Sequence, residues 1–413
     1  MRRFWEIVWL SCLVALPACQ HPAPKPPKPL PSLMIPTHPT RSGMPRWYFK
    51  ASERIVSTPK VGFDGTIYIT TLDKSLTAVS SDGKLRWRFE TDGLVVASPE
   101  TSADSSVIYV SSTDGSLYAV STTGRKLWSY RTQNSIESPP AVDSEGYVYV
   151  ASKDMRVYSL RPGNDVSEAN RLRWSKPYDG SYPFRGAKPS FFEERGMMFV
   201  GDQNGVLHVI RMTDGSPLWS DQICDRISSS TVTDTDGTTY VACQNGKLMS
   251  FKPDGARRWK KAWEFSTEKS EETQKLHPLL SSPRIGTDGT IYIGADDGWF
   301  YAIRAQNGEQ IWRFQSGLYQ KDNKSGEFKR QEHTEGYIQA TAETNSSRDP
   351  KNRKIFFGSV NEYLTALDSE GKILWQLDLH GWVDNAPIYY GDEKRGKQTL
   401  YVSAGRYLFA VNP

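Results

Sequence analysis

Cysteine, histidine and paired aspartates are the groups that could do chemistry in this 413-residue chain, and there are few of them. The cysteines are Cys12, Cys19, Cys224 and Cys243. No two are adjacent and none forms Cys-x-x-Cys, so neither a vicinal redox pair nor a thiolate metal clip is available. Of six histidines, His21 and His38 lie among prolines, and His208 lies in an apolar alternation. His277, His333 and His380 fall in polar connections; they could converge as metal ligands, or stand as solvated loop side chains. Asp234-x-Asp236-Gly237 and Asp296-Asp297-Gly298 carry carboxylates that a calcium loop could use, but Asp-Gly is also the favoured pair of a tight hairpin turn. Gly-x-Ser-x-Gly and His-Glu-x-x-His do not occur. No catalytic residue, metal site or cofactor is therefore assigned, and the chain is expected not to be an enzyme. The formal net charge of +4, from 51 basic and 47 acidic residues, gives no electrostatic reason to expect a nucleic-acid partner.

The N-terminus reads as an export signal. Arg2 and Arg3 precede a short apolar run from Phe4 to Ala15, closed by Leu16-Pro17-Ala18-Cys19. That closing tetrad resembles a bacterial lipobox. The resemblance implies a signal peptide over 1–18 and acylation (palmitate among the chains) at Cys19, which anchors to a bilayer without spanning it. Gln20, where an inner-membrane retention signal has Asp, points the anchor to the outer membrane. Residues 19–45 form a tether, with nine prolines between His21 and Pro45. At about 3.1 Å per residue in polyproline geometry, it reaches well clear of the lipid. Once Cys12 leaves with the signal and Cys19 is acylated, Cys224 and Cys243 remain. An even pair in an exported chain is a disulfide candidate, with two free thiols as the alternative.

These groups are positioned by a repeat. Seven units end on Trp87, Trp128, Trp174, Trp219, Trp259, Trp312 and Trp375, with undisturbed spacings of 40 or 41 residues. Each reads as four short strands, A to D: a proline-bearing A strand, an Ile-Tyr-Ile type B, a Leu-Tyr-Ala-Val type C, and a D strand ending on tryptophan. A period near 40 built of short strands predicts an all-β, eight-bladed β-propeller of four-stranded antiparallel blades over 46–413. The eighth blade is expected to combine C-terminal strands A to C with an orphan N-terminal strand around Trp47 that closes the ring. Proline at Pro59, Pro99, Pro139, Pro189, Pro283 and Pro387 suits an inner edge strand, because it cannot donate to a ladder.

The core Ala302…Gly308…Trp312, repeated at Ala366…Gly371…Trp375, Ala78…Gly83…Trp87 and Ala119…Gly124…Trp128, resembles the quinoprotein (PQQ-type) propeller repeat. The resemblance covers residues 45–413. It implies that Trp47, Trp87, Trp128, Trp174, Trp219, Trp259, Trp312 and Trp375 dock blade against blade rather than bind ligand. Lipobox, tether and lone propeller together resemble the BamB-like family of outer-membrane assembly lipoproteins. That implies a non-catalytic scaffold on the outer membrane, facing the periplasm. Its partner would be a periplasmic or outer-membrane protein, a barrel-assembly subunit in particular. The alternatives are a periplasmic ligand- or glycan-binding sensor, and an enzyme of the PQQ-dependent dehydrogenase type.

Insertions mark one face. Lys260 to Leu280 and Arg313 to Tyr337 are D-to-A connections, and in an up-down blade these open on the same side as Cys224. Long loops on a rigid scaffold commonly carry binding, and aromatic and Arg side chains are typical of contact patches. Arg185, Trp263, Tyr319, Arg330 and Trp382 are the partner-contact candidates; tolerated loop growth is the competing explanation.

Overall fold

A computed structural model describes residues 41–178, 186–255, 257–321, 328–331, 336–345, 347, 349–392 and 397–413. Cys19, the signal segment, most of the tether, His333 and Arg185 lie outside the described residues. The fold is all-β, an eight-bladed propeller with one four-stranded antiparallel sheet per blade. Blade one comprises Lys60–Val61, Ile67–Thr71, Ser75–Val79 and Leu85–Glu90, in that order from the axis outward. The eighth blade runs Ile388–Asp392, Lys397–Ala404, Tyr407–Val411 and, outermost, Pro45–Lys50. Trp47 faces Ala410 there, in the register that Trp87 and Ala78 share in blade one. The N-terminal strand thus closes the ring on the C-terminal blade, and a sheet edge that would otherwise template aggregation is paired.

Burial explains the composition. B and C strands are covered on both faces by neighbouring blades, so Ile67–Thr71 and Ser75–Val79 are buried throughout and read as continuous β-branched and aromatic runs. The D strand Leu85–Glu90 shows water one face and alternates. The core is accordingly split into clusters between blades. Tyr68, Leu76 and Ala78 of blade one pack with Val95, Ile108, Val110 and Val120 of blade two. Tyr401, Leu408 and Ala410 of blade eight pack with Ile67, Ile69 and Val79.

The tryptophans are the rivets between sheets. Trp87 donates its indole N–H to the Thr122 carbonyl (2.7 Å) and lies against Gly124 of the next blade's C–D turn. A Cβ on Gly124 would come within 2.7 Å of the Trp87 ring, and its φ is +82°. Space and backbone therefore both demand glycine in the repeat. Trp47 on Ser81 and Gly83, Trp174 on Met212 and Gly215, and Trp312 on Ser369 and Gly371 repeat the contact. Trp375 rests on Gly43, which precedes the closing strand. Trp128 is capped instead by the Arg171 guanidinium, 4.1 Å from its ring. Arg171 ends the one-turn helix Glu168–Arg171 and donates to the carbonyls of Arg161, Gly163 and Val166.

Blade five corrects the sequence reading. Its strand D is Trp259–Ser266, and the residue in the docking register is Trp263, opposite Ser250. Trp263 donates to the Ala305 carbonyl at 2.9 Å and covers Gly308. It is therefore a blade rivet and not a loop residue free for a partner. Trp259 sits earlier, in a C–D hairpin whose pairing runs on past the docking residue to Pro253, and packs on Trp219 and Phe199. That extra pairing put a second tryptophan four residues ahead of the docking one, which disguised the register.

The inner strands carry a second correction. Pro140, not Pro139, aligns with Pro59 and Pro99, because Ala141, Lys60 and Glu100 face the equivalent B-strand tyrosines.

Candidate functional site

Among the described residues, the paired aspartates and His208 prove to be held by the repeat itself. Asp297 accepts from the Tyr301 hydroxyl and the Trp299 N–H; Asp114 and Asp154 hold Tyr118 and Tyr158 in the same way. Asp234 and Asp236 cap the backbone N–H groups of Thr235 and Thr238. These are turn braces of the repeat. His208 occupies the brace position in blade four, between Asp202 (3.1 Å) and Ser220 (3.0 Å), with the Tyr178 ring against it. Ser220, His208 and Asp202 thus line up like a hydrolase triad, but His208 stands where blades two, three and six place the tyrosine, with Asn204 at the brace aspartate's position and Asp202 two residues before it. His277 lies beside Asp296 and Asp297, whereas His380 lies beside Asp378, so these two histidines serve different blades.

The inner strands carry hydroxyls and charged pairs toward the axial channel. Glu100 of blade two pairs with Lys60 of blade one and with Lys188 of blade four. Burial alone would raise the Glu100 carboxyl, but Lys188 and Lys60 outweigh it and hold it at about 2. Lys188 reaches past blade three because that blade offers only Pro139, Pro140 and Ala141 at this level. Across the channel Arg284 pairs with Glu343 at 2.8 Å. Burial keeps the Glu343 carboxyl raised in spite of Arg284.

The D–A face gathers the long connections. Cys224 and Cys243 are joined there, tying the connection into blade five to the end of that blade's strand Thr239–Ala242. The longest insertion leaves strand Gln310–Gln315 and returns before Ile338. Its neck is closed by hydrogen bonding between Ser316 and Gly336, the Gly336 N–H donating to Ser316 Oγ at 3.0 Å. Within it Tyr319–Lys321 pairs with Phe328–Arg330 as a hairpin, Tyr319 opposite Arg330. Tyr319 stacks on Phe314 at 5.0 Å, donates its hydroxyl to the Gln315 carbonyl, and donates its backbone N–H to Gln376 Oε1 of blade seven. It anchors the insertion more than it displays a ring. Arg330 is half-buried, and Tyr337 is 37% exposed. Trp382, also half-buried, lies under the Arg54 guanidinium at 5.4 Å, and Arg54 pairs with Asp384.

Sequence reasoning missed one set of residues on this face. An apolar residue in the connections seats over the end of strand B: Ile55, Val95, Ile136, Ile227, Leu279, Ile338 and Val383 are all at most 1% exposed. Ile338 rests on Gly294, and Val383 on Gly358. Its signal is a spaced pattern of apolar, small and proline-type residues, as in Ile55-x-Ser57-x-Pro59 and Ile136-x-Ser138-x-Pro140.

Comparison with known proteins adds the following. The family described as outer membrane protein assembly factor BamB matches residues 38–164, 122–328 and 301–411. No curated protein matches the chain by sequence. Among solved structures, BamB from Moraxella catarrhalis is similar with a TM-score of 0.64 and 15% identity, over 90% of this chain and 99% of that one. The computationally designed Ika8 protein gives 0.64 at 13% identity, over 88% and 98% of the two chains. Sqt1 of Saccharomyces cerevisiae gives 0.71 at 9% identity, over 90% and 99%. Identities this low speak for the fold alone; a designed ring and a yeast protein share it as closely as the bacterial one does.

Proposed function

The chain belongs to the outer membrane protein assembly factor BamB family, and from that premise we propose that it is a non-catalytic scaffold lipoprotein. Anchored through Cys19 to the outer membrane and facing the periplasm, it docks a protein partner, a subunit of the barrel-assembly machinery. The observation that carries the reading is the rigid presentation of the D–A face. The disulfide, the Ser316–Gly336 neck and the Tyr319 anchor fix long connections that would otherwise lose contact energy to ordering. Asp297 and His208, groups that a catalyst could use, are engaged within the repeat, and charged pairs line the channel where a ligand-binding reading would seat its ligand.

Photo-crosslinking in cells tests this. A benzoylphenylalanine at Lys329 or Tyr337, on the D–A face, is expected to capture a barrel-assembly subunit. The same probe at Phe63, an exposed A–B turn residue on the opposite face, is expected not to. Capture from Phe63 alone assigns the wrong face; outer-membrane proteins unchanged on deletion, with no adduct from any site, removes the scaffold reading.

A further inference from the structure

We propose that Glu362, Asp378 and His380 form a binding site for a divalent cation of the zinc class. The three sit at one corner of blade seven, on the D–A face. Glu362 belongs to the B–C turn, Asp378 ends strand Ile373–Asp378, and His380 opens the connection into the closing blade. Pairing of Tyr363 with Asp378 sets the turn beside the strand end, and the Leu379 N–H donates to the Glu362 carbonyl at 2.9 Å. One ligand atom from each residue lies within 4.8 Å of the other two.

Two independent features separate this corner from its equivalents. Glu362 puts a carboxylate at the positive-φ turn position, where blades one to six have Lys74, Gly115, Met155, Gly205, Gly246 and Gly298. The aspartate just before that position in blades one, two, three and six is answered, Asp73 by Arg88 and Asp114, Asp154 and Asp297 by a tyrosine. Blade seven has Asn361 and Thr365 at the brace positions. Among the described residues, neither Glu362 nor Asp378 meets a lysine or arginine. The second feature is His380 itself. Its Nδ1 is shut off from solvent and makes no hydrogen bond. Asp378 Oδ1 lies 3.3 Å from it but is used by the His380 backbone N–H at 2.8 Å. A buried ring nitrogen with no hydrogen bond, beside two carboxylates that no described lysine or arginine neutralises, is the arrangement a cation completes.

The donor set selects the cation. One imidazole and two carboxylates suit zinc and its neighbours, whereas calcium and magnesium prefer all-oxygen shells. Three protein ligands leave a position for water. The bound ion would pin the blade-seven turn to the segment carrying Trp382, Val383 and Asp384. That segment packs the last connection onto the closing blade and onto Arg54.

The test is calorimetric titration of the untagged, chelator-stripped full chain with zinc chloride, and separately with calcium and magnesium chloride. One saturable zinc per chain is expected, with neither alkaline-earth ion competing. His380→Ala and Glu362→Gln should each weaken zinc by about tenfold or more while the far-ultraviolet circular dichroism is kept. If His380→Ala does not fold, Glu362→Gln and Asp378→Asn decide. Absence of saturable binding, binding unchanged in the folded variants, or preference for calcium each overturns the proposal.

Discussion

Asp296 and Asp297 show how one residue's surroundings decide what a motif means. Both carboxyls are raised from their ordinary range by burial, Asp296 to about 6, with the neighbouring charge adding to the effect and the Gln339 amide opposing it. A folded-state pKa above the unfolded one means ionisation costs stability. That contribution is complete below the unfolded pKa, near 4, and is lost as pH rises through about 6. The wild type should therefore gain, from this group, about 1 kcal/mol between pH 7 and pH 5, and Asp296→Asn should flatten that part of the profile. Urea unfolding of both proteins at the two pH values reads it out; superimposable profiles would contradict the assignment. Trp259 and Trp263 give the same lesson in packing. Both are tryptophans in one strand, and only register distinguishes the rivet from its neighbour.

Among elements, connections differ more than strands. Strands B and C repeat because each must fill the same wedge between two sheets, while a D–A connection has only to return the chain to the axis. The connection through Cys224 is additionally tied to Cys243 across 19 residues of sequence. In the chain-entropy account a loop of this size stabilises by about 3 kcal/mol. A Cys224→Ser/Cys243→Ser protein is expected to lose roughly that much in denaturant unfolding under non-reducing conditions, with the ring still folded. Mass mapping of the unreduced wild type should find the two cysteines in one linked peptide pair. Finding both thiols free would refute the bridge and remove its share of the stability.

At the scale of the molecule, stability depends on closure. Around the channel, the backbone N–H of one inner strand donates to a hydroxyl on the next wherever the sequence supplies both. Thr58 donates to Ser98, Lys188 to Ser230, Ser230 to Ser282, Ser282 to Thr341, and Ala386 to Thr58. The chain of bonds is interrupted where Pro139, Lys188 or Ala386 offers no hydroxyl, and at Pro139 there is no donor either. The outer circuit is completed by strand Pro45–Lys50 on Tyr407–Val411. Since the core clusters of the described residues are each shared by two blades, loss at the seam should be felt by the whole ring. Trp47→Ala is expected to cost about 3 kcal/mol and to lower a single thermal transition, followed by circular dichroism. A local change that leaves the main midpoint in place would show the blades to be independent.

The sequence by itself determined the eight-fold ring and its closing strand, because these rest on local, repeated requirements. Asp-Gly turns need positive backbone angles, B and C strands need apolar side chains on both faces, and a tryptophan every forty-odd residues needs a glycine to lie on. The tertiary structure decided what depends on neighbours distant in the chain. It moved the blade-five rivet from Trp259 to Trp263, because a hairpin whose pairing runs further shifts register without changing composition. It turned Tyr319 from a displayed ring into an anchor, because its stacking partner Phe314 and its contact Gln376 come from different blades. It also set Lys188 beside Glu100, 88 residues away, across a gap left by small side chains. It drew Glu362, Asp378 and His380 to one corner, where no linear spacing announces them. Local sterics are written residue by residue; charge and ligand geometry exist only once the ring has closed.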